Sequence, residues 1–146
     1  MAKNTIVIKG YLNIRDEKVA TAVAITPGKL IERTSGDLVQ VHALAGGPVN
    51  PLFALEDAFQ GKKITDDYAI SVPIIIWKPI PGEQVYAHVS GTDAVIGDFM
   101  ESAGDGTLRP LNPVQSSAGV PEYAGNIVAV ALEAVSTGNR LIVEIV

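Results

Sequence analysis

The C-terminal half of the chain is a series of short apolar runs broken by tight Gly/Asp turns, and it ends in two of them. Gly125-Asn126-Ile127-Val128-Ala129-Val130-Ala131-Leu132-Glu133-Ala134-Val135 and Arg140-Leu141-Ile142-Val143-Glu144-Ile145-Val146 flank the polar stretch Ser136-Thr137-Gly138-Asn139. Runs this short, apolar and bounded by turn formers, predict two strands joined by a turn. The sequence stops inside an apolar stretch, and a hydrophobic strand there is expected to be paired or covered. Such an ending points to a protein built from sheets.

The rest of the chain follows the same grammar. From Thr5 to Arg15, Ile6, Ile8, Leu12 and Ile14 point one way with Gly10 in register, while Thr5, Val7, Lys9, Tyr11, Asn13 and Arg15 point the other. This period of two predicts an extended segment with one covered face. Residues 1–20 are therefore expected to form an N-terminal arm lying on a neighbour, ahead of a β-rich body over residues 21–146; an edge strand of the same domain is the other reading. Asp16-Glu17-Lys18 reads as a solvated turn, and Thr26-Pro27-Gly28 as a second turn. Val39, Val41 and Ala43 alternate with Gln40 and His42 to predict a strand that Gly46-Gly47-Pro48 ends. Leu52 to Gln60 is the one plausible helix, stopped by Gly61. Ile70 to Trp77 is rich in β-branched residues, and Pro73 predicts an edge or bulged strand. Gln84 to Val89 alternates again, and Asp105-Gly106 predicts a hairpin between Phe99-Met100-Glu101 and Thr107-Leu108-Arg109. Leu111 to Tyr123 reads as a loop. The expected fold is mainly β: a small β-barrel or sandwich with at most one short helix and an extended N-terminal arm.

Charge and composition exclude several functions. Net charge is −5, and the eleven basic residues are scattered, Lys62-Lys63 being their only concentration. Nucleic-acid binding leaves a clustered basic footprint, so none is expected. No run approaches the roughly 18 apolar residues that span a bilayer, and the N-terminus lacks the apolar core of a signal peptide. There are no cysteines, which removes disulfides, thiolate nucleophiles and Cys-based metal sites and fits a reducing cytosol. Charged residues make up 18% of the chain, below the roughly 25% of ordinary soluble domains, and the mean hydropathy is +0.27. A surface this poor in charge is expected to be covered in part by another chain, as in a homo-oligomer or an assembly.

Reactive constellations are scarce. His42 and His88 fall on the polar sides of their strands and read as surface histidines without the spacing of a metal pair. There is no Gly-x-Ser-x-Gly or Ser-x-x-Lys signature. Asp93, Asp98 and Asp105 read as turn residues capping the backbone. Asp66-Asp67 reads as a solvated loop, because sequence neighbours diverge rather than converge on one bond. Ala45-Gly46-Gly47-Pro48 offers neither the lysine nor the helix start that a phosphate needs. No catalytic, cofactor or metal residue is assigned, and no cofactor is expected. The candidate contact residues are Lys3, Ile6, Ile8, Tyr11, Leu12 and Ile14 of the alternating segment, with Trp77, which is either a contact anchor or a core residue.

Several short motifs occur in a telling order. They begin with Ile25-Thr26-Pro27-Gly28-Lys29-Leu30-Ile31-Glu32-Arg33-Thr34 and Val39-Gln40-Val41-His42-Ala43, and continue through Ala54-Leu55-Glu56, Gly61-Lys62-Lys63-Ile64 and Asp67-Tyr68. Pro81-Gly82-Glu83-Gln84-Val85-Tyr86-Ala87, Ile96-Gly97-Asp98 and Ser102-Ala103-Gly104-Asp105-Gly106-Thr107-Leu108 follow. Ala129-Val130-Ala131-Leu132-Glu133-Ala134 and Leu141-Ile142-Val143-Glu144-Ile145-Val146 close the series. This order, over most of residues 25–146, resembles the head-decoration, or capsid cement, proteins of tailed bacteriophages. The resemblance implies a β-rich body on the outer surface of the virion capsid, made in the host cytoplasm and often trimeric. Its partner would be the major capsid protein, with no catalytic residues, nucleic acid or membrane involved. Two other readings stand beside it. One is a lectin-like carbohydrate-binding module with a shallow site at Trp77, Tyr86 or Tyr123; the other is a hydrolase using Asp66, Asp67 and a histidine.

Overall fold

The computed structural model describes residues 2–10, 15–20, 23–111, 114–115, 121–122, 126–135 and 139–146. Its strands begin with β1 (Val7–Lys9), β2 (Arg15–Ala20), β3 (Ile31–Arg33), β4 (Leu38–Val41), β5 (Phe53–Ala54), β6 (Pro73–Trp77) and β7 (Gln84–His88). They continue with β8 (Phe99–Ser102), β9 (Leu108–Pro110), β10 (Val114–Gln115), β11 (Pro121–Glu122), β12 (Ala129–Ala131) and β13 (Arg140–Ile145). The protein is mainly β, with two principal sheets; helix among the described residues is limited to the 3-10 turns Ser35–Asp37 and Ala58–Gln60.

One sheet has six strands in the order β1-β7-β13-β12-β8-β9, and the other has five in the order β3-β4-β2-β6-β5. β10 and β11 pair separately inside the predicted 111–123 loop. The strand ladders are antiparallel except between β2 and β4. The outer strands of the five-stranded sheet are tied to each other: Ile31 N donates to Leu52 O at 2.9 Å, and Ala54 N to Lys29 O at 3.1 Å. In the six-stranded sheet, Val89 bridges Leu108 beyond β7. These bonds occupy backbone groups that an open edge would leave bare.

Two cores explain the sequence pattern. The larger lies between the sheets, joining Leu30, Phe53, Leu55, Ile75 and Trp77 to Val85, Met100, Leu108, Leu141, Val143 and Ile145. The smaller belongs to the five-stranded sheet and includes Ile31, Val39, Leu52, Ala54, Ile74 and Ile76. β6 therefore supplies alternate residues to different cores, which is why Pro73-Ile74-Ile75-Ile76-Trp77 is continuously apolar: both of its faces are covered. It is an interior strand rather than the edge expected from Pro73. The proline is tolerated because it occupies the first position of the strand.

Other expectations also change. Where described, the 1–20 segment contributes two strands to the body: β1 pairs with β7 at the edge of the six-stranded sheet, which is the other reading given above, and β2 lies between β4 and β6. Asp16-Glu17-Lys18, expected as a turn, belongs to β2, where ladder bonds outweigh its polarity. β1 has a register shift between Val7 and Lys9 and ends before Gly10, where a Cβ would lie 2.9 Å from Trp77 Cζ2 and from the Glu83 carboxyl group. The expected helix over 52–60 starts instead as β5. Leu52, Phe53, Ala54 and Leu55 are all buried, which suits a strand covered on both faces better than a one-sided helix. Only Ala58–Gln60 turns, with Asp57 accepting from Gln60 N and Gly61 closing it in the left-handed region. The 99–109 hairpin forms as predicted, Ser102 opposite Leu108, and β12 pairs with β13. Most of the expected 136–139 turn lies outside the described residues.

Candidate functional site

The candidate contact residues do not form one surface. Ile6 and Trp77 have no exposed surface and belong to the inter-sheet core. Lys3 and Ile8 are partly buried, and Tyr11, Leu12 and Ile14 lie outside the described residues. The start of the chain is fastened locally: Thr5 Oγ1 and Ile6 N both donate to the Glu56 carboxylate, and Tyr86 N donates to Ile6 O at 2.7 Å. Of the aromatics considered for a carbohydrate site, Trp77 and Tyr86 are buried and Tyr123 lies outside the described residues.

Both histidines differ from the expected surface positions. His42 is only 3% exposed. Its Nε2 is 3.0 Å from the Pro48 carbonyl and its Nδ1 is 2.7 Å from Ser102 Oγ. A carbonyl can only accept, so in the neutral ring Nε2 carries the hydrogen and Nδ1 accepts from the serine hydroxyl. Gly104 N donates to the same oxygen at 3.2 Å. A histidine against a serine is the geometry of a base and its nucleophile. Here Ser102 has no exposed surface, so a substrate carbonyl has no approach to it. The pair instead pins the β8–β9 hairpin to the segment after β4, assisted by Gly46 N to Ser102 O at 2.9 Å and Gly106 N to His42 O at 3.2 Å. No sequence signal links residues 60 positions apart in this way.

A second polar cluster joins the sheets. Arg140 on β13 stands opposite His88 on β7. Arg140 is 6% exposed; its Nη2 donates to Ile64 O at 2.7 Å, its guanidinium lies 5.7 Å from the Tyr86 ring centroid, and its Nη1 is buried without a hydrogen-bond partner. His88 Nε2 is likewise buried and unpartnered, while His88 N donates to Gly28 O at 3.0 Å. Burial first, then Arg140 and Lys29, push the His88 pKa down to about 4, with Asp67 acting in the opposite direction. Unfolded histidine titrates near 6.5. The neutral ring therefore stabilises the fold above about pH 6.5, and that contribution is lost as pH falls toward 4. Allowing for partial exposure, the loss is about 1–2 kcal/mol. Urea unfolding at several pH values is expected to show this extra slope in the wild type and not in His88→Gln; equal slopes would contradict it.

The surface offers two further features. On the side of β2 and β6 where Glu17 stands opposite Ile75, a cavity of about 390 Å³ is lined by Glu17, Asp57, Asp66, Asp67, Val72 and Ile75, among others. A second hollow of about 270 Å³ shares Glu17 and Ile75 and adds Asp16 and Phe59. Asp66 and Asp67 are exposed loop residues, as expected, and other segments complete the hollow they line. Elsewhere a turn holds Val95, Ile96 and Phe99 exposed near Leu132, with Ile96 70% exposed. That turn is fixed by Gly97 N to Ala131 O and Ala131 N to Asp98 O, both 2.9 Å, and by Val95 N to the Asp98 carboxylate at 3.0 Å. Asp98 here, like Asp105 with Thr107 N, caps backbone as expected of turn aspartates. Among the described residues no group of three or more His, Asp or Glu side chains is arranged to hold a metal ion. No protein-family model and no curated protein matches the chain.

Proposed function

We propose that the protein is a capsid decoration protein that binds the outside of an assembled bacteriophage head and bridges neighbouring subunits of the major capsid protein. The observation that carries this reading is the Val95–Phe99 turn. Its backbone bonds hold large apolar side chains out of a body that has two cores of its own. Surface of this kind is stable in water only at a cost, and a partner that covers it removes the cost. The order of motifs resembling head-decoration proteins supports the same reading, as does the low charge of the chain. The proposal includes a homotrimer, and closure of the five-stranded sheet into a small barrel through the 28–31 and 52–54 hydrogen bonds.

A decoration protein stabilises a shell because it binds the assembled lattice and not its separated parts, so every contact must break before the shell opens. Several modest contacts joined in one oligomer gain avidity without a tight single site. Purified protein mixed with undecorated, expanded heads is expected to bind saturably and to raise their rupture temperature. Absence of binding to any expanded shell would overturn the reading.

A further inference from the structure

We propose that the Asp105–Gly106 bond is a site of spontaneous modification, rearrangement to a β-aspartyl linkage, which the folded hairpin holds off and which opens when β8 and β9 part. This chemistry is independent of the capsid assignment above.

The pair itself is the first observation. Asp105-Gly106 is the only Asp-Gly in the chain, and there is no Asn-Gly. Glycine has no Cβ to shield its amide nitrogen, so that nitrogen reaches the preceding side-chain carboxyl carbon with little hindrance. A C–N bond forms between them, and the amide hydrogen and the carboxyl hydroxyl leave as water. Water then opens the five-membered imide at the Asp105 main-chain carbonyl and breaks the original peptide bond. The chain now runs through the side-chain carboxyl, one carbon longer, with no net gain or loss of atoms. Asp105 is exposed, so water reaches it.

In the folded hairpin both reacting groups are held. Asp105 Oδ1 accepts from Thr107 N at 3.0 Å and also from the Thr107 hydroxyl. Gly106 N donates to His42 O at 3.2 Å, Leu30 N donates to Gly106 O at 2.8 Å, and Lys29 Nζ donates to Asp105 O at 3.2 Å. The attacking nitrogen is thus bonded elsewhere, and the carboxylate is engaged by residue 107. Burial alone would raise the Asp105 pKa, but Thr107 and then Lys29 outweigh it and hold the carboxyl below its usual value. The ionised form has no hydroxyl to lose and is the poorer electrophile.

The product does not fit the fold. A Cβ at Gly106 would lie 2.9 Å from Val41 Cβ and 3.1 Å from Leu30 O, so the backbone has no room there for an added carbon. The bonds from Gly106 to Leu30 and His42 tie the turn to the segments flanking β3 and β4, and a longer chain displaces them. A chain modified while open is barred from closing, which makes its unfolding irreversible.

The test incubates the full chain at neutral pH in 18O-labelled water, folded in buffer and unfolded in guanidinium chloride. Electron-transfer fragmentation of the digested protein separates aspartyl from β-aspartyl linkages. In denaturant, label and β-aspartyl product are expected at Asp105; in buffer their appearance is expected to be about tenfold slower or more, because reaction waits for local opening. Thr107→Val, which removes the hydroxyl, is expected to raise the folded rate about threefold and leave the rate in denaturant unchanged. Gly106→Ala in denaturant, where no folding is needed, is expected to slow the reaction about tenfold. Chains modified in denaturant are expected to be missing from the folded fraction after dilution. Product and label absent from Asp105 in denaturant, or an undiminished rate in Gly106→Ala, would overturn the site. Equal rates in buffer and denaturant would overturn the protection by the hairpin, and β-aspartyl chains that refold with the wild-type unfolding midpoint would overturn their exclusion from the fold.

Discussion

Trp77→Ala is expected to cost about 4 kcal/mol and to lower the unfolding temperature by roughly 10 °C or more. The indole is fully buried at the end of β6, opposite Phe53 on β5, in the core that both sheets share. Neighbouring backbone belongs to two paired sheets and cannot collapse far into the space left behind, so the cavity term adds to the lost transfer energy. Trp77→Phe is expected to cost only about 1–2 kcal/mol. Phenylalanine leaves a smaller void, and the indole Nε1 that it removes has no hydrogen-bond partner to lose. Because Trp77 is the only tryptophan, unfolding should be followed by far-UV circular dichroism rather than intrinsic indole fluorescence. A cost below about 1 kcal/mol for the alanine variant would mean that the ring does not hold the sheets together.

The parts of this fold that sequence reading captured are those whose cause is local. Asp105-Gly106 carries its own turn chemistry, with Thr107 N bonded to the Asp105 carboxylate, so the hairpin between β8 and β9 needs little information from elsewhere. β13 was legible as a short apolar run, and its burial alternates along much of the strand, whereas the three central residues of β7 are all buried. β2 was not: Asp16, Glu17 and Lys18 are polar in succession, and only pairing with β6 makes them a strand. The parallel pairing of β2 with β4 has no local signature at all. Leu52–Leu55 failed for a related reason. Four buried residues in a row arise from covering on both faces, and periodicity alone does not separate that from a short helix.

The surface hollows and polar clusters were still less legible. The hollow over β2 and β6 brings together Glu17, Asp57, Asp66, Asp67 and Ile75, of which β2–β6 pairing makes Glu17 and Ile75 neighbours. In sequence they are a strand fragment and an ordinary polar loop. His42 was placed on the polar face of its strand, but that alternation ends with β4 at Val41, and the next side chain meets Ser102 across the sheet boundary. Trp77 was balanced between contact and core until Phe53 and Ile75 were placed with it in one cluster.

Gly28→Ala is expected to cost about 3 kcal/mol, although it adds a single methyl group. Gly28 links the two sheets through its own backbone: its N–H donates to Ala54 O at 2.7 Å, and its carbonyl accepts from His88 N at 3.0 Å. Its φ of +91° is one that an L side chain adopts only with strain of about 1–2 kcal/mol. The new Cβ would also lie 2.8 Å from Arg140 Nη1, 2.9 Å from Tyr86 O and 3.0 Å from Ile6 Cδ1. Gly36→Ala separates the two causes, because its φ of +75° carries comparable strain while nothing lies within 4 Å of its Cβ. That variant is expected to lose only about 1 kcal/mol. Adding Arg140→Met to Gly28→Ala removes the guanidinium clash but leaves the Tyr86 carbonyl in place, because that oxygen belongs to the β7 backbone. The double variant should therefore recover less than half of the loss relative to Arg140→Met alone. Full recovery in a urea double-mutant cycle would mean that the guanidinium, and not the close approach of the two backbones, is what excludes a side chain at this position.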